Sequence, residues 1–585
     1  GEALRAACEG GGDLLYPWRA EGDDWRNLPN RFIVLYPTAQ EAAEGARRAR
    51  AALRNAWGDM AKGVKKLLDA KWQTQWDHGW NVQVESFWDV RTLVVDLEAW
   101  KDEEYRALFG LGPDEPCPDP LTRGWRVTSA ALAAAKSVRW VPPDQGMGRP
   151  KCTMMGDLEQ MGPGGGVGAQ REWWRRVAGT SFHGVPIAEG ERLCAVALVK
   201  RFAPVYPNSP LSSLCHPVPD TAGIATAHWR CDVRDKGLAE LLETFEARCK
   251  DLTDYLEGAG ETLGHYLVDD NIRYDKRTWI KLNERLPHDR RERVEAWEES
   301  KLANALKAMV DARGALAKAR RKAQLPPPPR YLALVELDGD HMGRHLGGNG
   351  RALTREHFQQ LSGKLLEYGA QVPGMVSQHH GECIYAGGDE VLALCPRSDA
   401  LSLVMQLRRS FPKELAAGEG ATASAGITLF HYHHDLREAL RQAHHAIERA
   451  KNAGRDRCGI SVLKRSGGDV QMVASWDLLE AVNVLAQDFD RGASDRWASH
   501  LRQMLPSLSD AVPPEALRAL IRRAAEHAEK APCLCHVLDL WDKAWAFHNG
   551  DEARAHTEGI PPSVCIFGAF LDLVNLASFL VRGGE

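Results

Sequence analysis

Two groups of carboxylates in this chain have the residue types and surroundings of a site for metal-dependent phosphoryl transfer. The first group, Asp338–Asp340, ends an apolar, strand-like run. The second, Asp389 and Glu390, follows a Gly-Gly pair between two apolar runs, which favours a tight hairpin because glycine accepts positive φ. If the hairpin lies beside the first strand, the carboxylates converge and supply the oxygen ligands that Mg²⁺ or Mn²⁺ prefers. Such ions would neutralise a leaving pyrophosphate. A solvated acidic hairpin tip is the alternative.

Two cations follow at the end of a predicted helix, in the segment Ala450–Arg455. Lys451 and Arg455 are four residues apart, a spacing that places both side chains on one helix face. From that face both side chains could reach a triphosphate through charge-assisted hydrogen bonds. A charged helix end without a ligand is the alternative, and the acidic hairpin favours the phosphate interpretation.

The elements that must position these groups lie in the segment 326–470, which has the most regular pattern of the chain. Apolar runs alternate with helical spacing in the order β-α-β-β-α-β, the split βαβ pattern of a ferredoxin-like sheet. The predicted strands are Tyr331–Leu337, Cys383–Ala386, Val391–Cys395, Thr422–Phe430 and Gly459–Leu463. The predicted helices are Leu353–Gln371, Ala400–Ala416 and Leu436–Ala453.

The rest of the chain divides at proline- and glycine-rich stretches into four further segments. Residues 1–27 are an N-terminal extension and 28–149 a compact α+β domain, with strands at Arg31–Tyr36, Val82–Trp88 and Leu93–Leu97 around a helix ending at Leu68. Residues 150–325 form a mixed middle domain that closes in a charged helix. Residues 471–585 show helical patterns alone, which predicts a helical bundle. The predicted fold class is therefore α+β and multidomain.

Composition narrows the class of protein. With 585 residues, 44% of them apolar and 26% charged, the chain is typical of a soluble, multidomain globular protein. A net charge of −5 argues against a free-standing nucleic-acid binder, because the positive field would have to come from local patches or partner subunits. Thirteen irregularly spaced cysteines indicate a reducing cytoplasm. The motif Cys533-Leu-Cys535 favours helix core over a redox pair.

No membrane association is expected. The longest apolar stretch, Val564–Val581, contains Asp572, Asn575 and Ser578. These polar interruptions favour a buried C-terminal helix over a membrane span.

Four motifs of segment 326–470 together resemble the second palm domain of the Cmr-type large subunit of type III-B CRISPR effector complexes. They are Asp338–Gly343, Tyr385–Glu390, Ser424–Ile427 and Ala450–Arg455. The resemblance extends over nearly the whole chain: Leu28–Phe32 is similar to the start of the family's first palm domain, and Glu191–Ala195 with Lys200-Arg201 is similar to its middle domain.

The resemblance implies two cyclase-like palm domains with ferredoxin-like folds, a middle domain and a helical C-terminal domain. It also implies partners: other Cmr-type subunits, CRISPR guide RNA and target RNA. Target-RNA pairing would activate the palms to polymerise ATP into cyclic oligoadenylate messengers. By motif match, Asp338, Asp389 and Glu390 would be the catalytic metal ligands. The nucleotide would contact the remaining motif positions, Gly339, Asp340, Gly387, Gly388, Lys451 and Arg455.

The sequence departs from the family pattern at three points. The hairpin reads Gly-Gly-Asp-Glu instead of the commoner Gly-Gly-Asp-Asp, but Glu390 is still a hard oxygen ligand. The two zinc-binding Cys-x-x-Cys pairs each retain one cysteine, Cys152 and Cys194, so zinc is expected to be absent unless Cys215 or His216 completes the site. No HD nuclease is expected, since the only His-Asp dipeptides, His288-Asp289 and His434-Asp435, fall inside other domains.

Two other functions remain open at this stage. The chain could be a catalytically silent scaffold that holds guide RNA and neighbouring subunits. It could also be a diguanylate cyclase, given the Gly-Gly-Asp-Glu tetrad. Against the latter, Val391 stands where such cyclases carry phenylalanine, and the run Glu336–Gly343 is unlike their usual first-strand motif. The ring size of the product, and whether AMP is joined to another acceptor, do not follow from the sequence.

Overall fold

The structure is a computed structural model of the 585-residue chain. It describes all residues except 1, 18–30, 73–76, 139–147, 164–165, 179–180, 183–184, 188–189, 213–217, 257–261, 287–289, 416–419, 466, 468, 550–562 and 583–585. Cys215, His216 and the His288-Asp289 dipeptide therefore lie outside the described residues.

Twenty-two helices and ten strands are present in the described part of the chain. The helices are α1 Glu2–Cys8, α2 Ala39–Trp72, α3 Asp77–Glu85, α4 Asp102–Phe109, α5 Pro120–Ser137, α6 Val167–Val177, α7 Ala195–Phe202, α8 Thr221–Ala225, α9 Ala227–Val233, α10 Ala239–Tyr255, α11 Leu263–Val268, α12 Lys276–Arg285, α13 Lys301–Lys322, α14 Met342–Leu346, α15 Arg355–Gln378, α16 Ala400–Ser410, α17 Leu436–Asn452, α18 Trp476–Asp490, α19 Arg496–Met504, α20 Pro514–Glu526, α21 Leu534–Asn549 and α22 Ser563–Arg582. The strands are β1 Asp13–Tyr16, β2 Ile33–Leu35, β3 Ser181–Phe182, β4 Val185–Pro186, β5 Tyr331–Gly339, β6 Glu382–Gly387, β7 Glu390–Pro396, β8 Ala423–His431, β9 Arg457–Leu463 and β10 Val470–Ser475.

These elements form two compact units, each assembled from separate stretches of chain. Unit 1 consists of Gly1–Val218, Glu243–Gly314 and Gly343–Gly363, and unit 2 consists of Pro219–Leu242, Ala315–Met342 and Lys364–Glu585. The domain bounds expected from the sequence stay predictions. The mixed α+β class is confirmed.

Unit 1 is mainly helical, with two small two-stranded sheets, β1–β2 and β3–β4. A hydrophobic core of unit 1 forms around one face of α2, where Trp57, Ala61, Val64 and Leu68 recur at helical spacing and are buried. The buried run Leu193–Val199 at the start of α7 belongs to the same core. Burial of an apolar face of this kind is the main source of stability for a helix.

Two strands predicted for segment 28–149 are not strands. The prediction at Val82–Trp88 was wrong because helix α3 runs from Asp77 to Glu85, and Leu93–Leu97 has no regular structure. Trp80, Gln83 and Val84 of α3 are buried at helical spacing. The side-chain amide of Gln83 donates to the Glu159 carbonyl and accepts from the Ala195 amide, both at 2.8 Å. In the sequence, Gln83 stands where an alternating strand would have a polar residue. A ferredoxin-like sheet is not present among the described residues of this segment.

Unit 2 is built on a six-stranded sheet with the strand order β10-β9-β8-β5-β7-β6. β5 lies at the centre and pairs antiparallel with both β7 and β8, while β8 and β9 are parallel and are connected through α17. Every residue of β8 is buried, as expected for a strand covered on both faces. The five strands and three helices predicted for segment 326–470 are all present, with ends shifted by a few residues.

Helix α17 approaches the sheet closely because small residues face each other. Its buried side is a stripe of alanines, Ala439, Ala443, Ala446 and Ala450. A Cβ at Gly459 on β9 would lie 1.9 Å from the Ala446 carbonyl oxygen. The glycine therefore allows the backbones to approach, and this approach fixes the distance between the last turn of α17 and the ends of the strands.

The predicted helical character of the C-terminal segment is correct except at its start. Val470–Ser475 forms β10, an edge strand paired antiparallel with β9, whereas the sequence predicted no strand after Met472. Val473 interrupts the alternation of this short strand and hid the pattern. Helices α18–α22 follow, and α22 is long and apolar enough to cross a membrane, but 61% of its apolar window is buried in the protein. This agrees with the predicted buried helix.

A cluster of histidines and carboxylates connects α9 to the sheet of unit 2. The Asp399 carboxylate is buried and bonds His228 Nδ1 at 2.7 Å and His380 Nδ1 at 3.0 Å. The hydrogen bond to Asp399 raises the pKa of His228 against the opposing effect of burial, and the negative charges of Asp399, Asp232 and Asp490 add to the rise.

We predict that Gly459→Ala lowers the stability of unit 2. The added methyl group has no space beside the Ala446 carbonyl, and forced overpacking costs about 1–3 kcal/mol. The urea midpoint, measured by circular dichroism, should fall. Gly374→Ala in α15 is the control, because a Cβ there meets no atom within 4 Å and alanine favours helix. A normal midpoint for Gly459→Ala would show that α17 does not need this close approach.

We also predict that His228 makes stability depend on pH. Because its pKa is raised on folding, its contribution is complete below the unfolded-state pKa of about 6.5 and is lost as pH rises through the higher folded-state pKa. The difference in urea midpoint between the wild type and His228→Gln should therefore be larger at pH 6 than at pH 9. An equal difference in urea midpoint at pH 6 and pH 9 would show that His228 does not make stability depend on pH.

Candidate active site

The structure brings the two acidic groups together at one end of the sheet. In the pairing of β5 with β7, Asp338 is directly opposite Glu390, so both side chains point to the same face, with Cβ atoms about 5 Å apart. The Gly339 amide donates to the Asp389 carbonyl at 3.2 Å, which continues the pairing into the turn. The convergence predicted from the sequence is therefore present.

The hairpin between β6 and β7 is as tight as the Gly-Gly pair predicted. Gly387 pairs with Glu390, so the turn consists of Gly388 and Asp389 alone. Gly388 has φ +68°, which is the conformation that the first central residue of a type II′ hairpin turn requires. The side chain of Asp389 thus projects from the tip of a rigid turn beside the end of β5.

The carboxylate of Asp389 is largely removed from solvent. Burial raises its pKa to about 6, a hydrogen bond from its own backbone opposes the rise, and the nearby Glu390 carboxylate adds to it. Burial also raises the pKa of Tyr385, with further contributions from the negative charges of Glu390 and Asp389. Negative charge is therefore concentrated at the hairpin tip and is only partly compensated there.

Lys451, in the last turn of α17, forms an ion pair with Asp338. Both side chains are about a quarter exposed. Burial and the positive charge of Arg455 lower the pKa of Lys451, and the negative charge of Glu336 opposes this. The ion pair with Asp338 was not foreseen from the sequence, and the predicted contact of Lys451 with a triphosphate stays a prediction.

Arg455 does not share a helix face with Lys451, so that prediction was wrong. α17 ends at Asn452, and Gly454, Arg455 and Asp456 follow with positive φ values of 115°, 62° and 48°. The Arg455 amide donates to the Ala450 carbonyl at 3.2 Å, which closes the helix end. Glycine after the last turn ends a helix in this way. Arg455 nevertheless lies close enough to Lys451 to affect its pKa.

Asp340 is buried and fully hydrogen-bonded by the protein. One carboxylate oxygen accepts from the Ser424 hydroxyl at 2.7 Å, and the other accepts from the Thr422 hydroxyl at 2.8 Å and the Asp456 amide at 3.0 Å. Its carboxylate therefore connects the end of β5 to the start of β8 and to the turn after α17. In this structure Asp340 positions the site.

Two acidic residues of this region were missed in the sequence. Asp456 accepts hydrogen bonds from Arg408 Nε at 2.7 Å and Trp476 Nε1 at 2.8 Å, and an acid in a short turn gives no sequence signal. Glu336 lies two residues before Asp338 and therefore on the same face of β5. Its Oε2 atom is buried without a hydrogen-bond partner among the described residues. A single acid in the apolar run Tyr331–Leu337 was a signal that could have identified Glu336.

The two cysteines of the degenerate zinc motif lie together in unit 1, and both are buried. Cys152 Sγ accepts from the Met154 and Met155 amides, each at 3.4 Å, and Cys194 Sγ accepts from the Ala197 amide at 3.4 Å. A hydrogen bond from Cys194 lowers the pKa of Cys152 to about 6. Within the described residues no third metal ligand joins this pair. The expected absence of zinc stays a prediction.

Comparison with known proteins agrees with the sequence resemblance. Residues 331–459 match the family model of the Cas10/Cmr2 second palm domain. Over 319 residues the chain is 29% identical to the CRISPR system Cmr subunit Cmr2 of Pyrococcus furiosus, a match that covers 49% of this chain and 34% of that protein. The chain thus matches about a third of the length of that relative.

Similar solved structures include the apo state of the type III-B Cmr-beta complex, with a TM-score of 0.49, 14% identity and coverage of 86% of this chain and 66% of that chain. The active GGEEF domain of a diguanylate cyclase from Vibrio cholerae is also similar, with a TM-score of 0.19, 23% identity and coverage of 25% of this chain and 89% of that domain. The match at 331–459 contains the paired acidic strand ends and the whole of α17 with Lys451. The resemblance of this chain to the Cmr-type large subunit is confirmed, and the family-model match places it at residues 331–459, which are similar to the Cas10/Cmr2 second palm domain.

Proposed function

We propose that this chain is the large subunit of an RNA-guided type III-B complex and, once target RNA is bound, a nucleotidyltransferase that polymerises ATP into cyclic oligoadenylates. The observation that carries the proposal is the register of β5 and β7, which sets Asp338 opposite Glu390 beside the Asp389 turn. Other Cmr-type subunits, guide RNA and target RNA are the proposed partners. The palm-domain match covers the segment that contains these residues.

The carboxylates present fit Mg²⁺ or Mn²⁺. Asp338 and Glu390 share a face of the sheet with Glu336, whose buried Oε2 has no hydrogen-bond partner among the described residues. A buried, unpaired carboxylate oxygen is costly unless a cation compensates it. Hard oxygen ligands, few of them from protein, suit Mg²⁺, whose remaining positions are taken by water and phosphate oxygens. When bound, the ion supplies positive charge to the developing pyrophosphate.

The residues of the chain itself bind and orient the nucleotide. Lys451 carries the cation nearest to Asp338, and Arg455 adds a second positive charge at the turn after α17. Fixed cations beside a phosphate chain stabilise the charge that develops on it during transfer, and they need no rearrangement because the fold already holds them in place. The rigid turn at Gly388 fixes the Asp389 side chain against the same region.

The central test is Asp389→Asn in the assembled, target-bound complex. We expect oligoadenylate synthesis to be abolished, because loss of a metal ligand removes charge stabilisation from the transition state. The urea midpoint should not fall, because burial disfavours the charged carboxylate and the amide has the same shape. Mass spectrometry of the products gives the readout.

A conservative variant and a control variant accompany Asp389→Asn in this test. Glu390→Asp should remain active, since it restores the commoner family tip, and Glu515→Gln, an exposed acid on α20, is the matched control. Product from Asp389→Asn would show that the ligands lie elsewhere. A wild-type complex that binds guide and target RNA but makes no product would favour the silent scaffold.

The phosphate-binding role predicts that Lys451→Ala and Arg455→Ala each weaken ATP use. A lost charge-assisted hydrogen bond costs ~1.5–3 kcal/mol, so kcat/KM for ATP should fall about 10- to 100-fold. Arg441→Ala is the control, because Arg441 belongs to the same helix and pairs with Glu438 instead. Unchanged kinetics in both variants would return the two cations to a charged helix end without a ligand.

A further inference from the structure

The motif Cys533-Leu-Cys535-His536 does not lie in a helix core as the sequence indicated. Cys533 and Cys535 are exposed free thiols at the start of α21, and His536 is half-buried beside them. The two Sγ atoms and a ring nitrogen of His536 all lie within 4.8 Å of one another. Three ligands of a tetrahedral zinc site are roughly 3.8 Å apart, given a Zn–S bond of ~2.3 Å. The cluster is therefore within a small adjustment of metal-binding geometry.

A buried carboxylate orients this cluster from α18. Asp488 is 7% exposed, and its Oδ2 atom lies 2.8 Å from His536 Nδ1 and accepts a hydrogen bond from the Cys533 amide at 3.1 Å. A carboxylate on one ring nitrogen fixes the tautomer that leaves a lone pair on the other, and metal-ligating histidines usually have such a partner. Cysteines that only packed in a helix core would not need such a carboxylate beside them.

An ion could reach the cluster from solvent. Cys533 and Asp488 line an open cleft of about 260 Å³ that also contains Arg491 and Lys530. Arg491 lies 3.8 Å from Asp488 and its side chain is 72% exposed, so the ion pair between them is open to solvent.

We propose that Cys533, Cys535 and His536 bind one Zn²⁺ ion, with Asp488 as the positioning residue and with a water molecule as the fourth ligand. Two thiolates and an imidazole are soft and borderline ligands that select zinc over Mg²⁺ or Ca²⁺. The ion would connect the start of α21 to the end of α18, where the backbone already joins the two loops through the Ser494 amide and the Lys530 carbonyl at 2.6 Å. This site is separate from Cys152 and Cys194, which belong to the other unit.

The test is zinc binding by the reduced full chain, measured by competition with a chromophoric chelator. We expect the wild type to bind one more Zn²⁺ per chain than Cys533→Ser/Cys535→Ser, which isolates this site from any other. Asp488→Asn should weaken binding about 10- to 100-fold. Cys565→Ser, an exposed cysteine on α22, is the matched control and should bind as the wild type does.

Two further readouts identify the ligands. Co²⁺ in place of Zn²⁺ should give thiolate-to-metal charge-transfer absorption that decreases in each single cysteine variant. Zn²⁺ should raise the melting temperature of the wild type and not that of the double variant, because a ligand that binds only the folded state stabilises it. Equal zinc stoichiometry and identical Co²⁺ spectra in the wild type and the double variant, with both folded by circular dichroism, would overturn the proposal.

Discussion

The buried carboxylate of Asp340 is the constraint on which the arrangement of the site depends. A charge removed from water must be matched by hydrogen-bond donors, and breaking such a set is costly. Its donors come from Thr422 and Ser424 at β8 and from the amide of Asp456 in the turn after α17. One side chain thus fixes the end of β5, the start of β8 and the end of the helix that carries Lys451. Asp456 continues the network to α16 and α18 through Arg408 and Trp476.

Five of the six strands of the sheet, and the hairpin, could be predicted from the sequence because these strands are apolar runs. The Gly-Gly pair specified the turn, and the position of the acids at the strand ends specified their convergence. The prediction for Arg455 was wrong for a different reason. The four-residue spacing assumes that the helix continues, but α17 ends at Asn452, before Gly454 with its positive φ. The error at Val82–Trp88 arose because the buried Gln83 imitates the polar position of a strand. The end of α17 is a local feature, whereas at Gln83 the tertiary hydrogen bonds to Glu159 and Ala195 decided the outcome, and single-sequence patterns do not contain such bonds.

The acidic tip shows a local conflict between folding and function. Burial, together with the negative charge of Glu390, raises the pKa of Asp389, so the fold tolerates a carboxylate where a neutral side chain would be less costly. The buried Oε2 of Glu336, on the same face of β5 as Asp338, adds an oxygen that has no hydrogen-bond partner among the described residues. A carboxylate whose pKa is shifted by burial, as that of Asp389 is, marks a candidate functional site, because a ligand can supply the missing compensation. The same conflict is absent at Asp340, whose donors are complete.

The ion pair between Lys451 and Asp338 allows the charges of the proposed site to be paired both without and with a bound nucleotide. Without a nucleotide, each of the two groups neutralises the other in a partly buried place. When a polyphosphate with its cation binds, the ammonium can pair with phosphate and the carboxylate with the cation, so the number of opposite-charge contacts does not fall. The pair therefore need not be strong: its Coulomb energy is exchanged for contacts of the same kind. A lysine suits this exchange better than an arginine, because its flexible stem and point charge can change partners without losing a bidentate geometry.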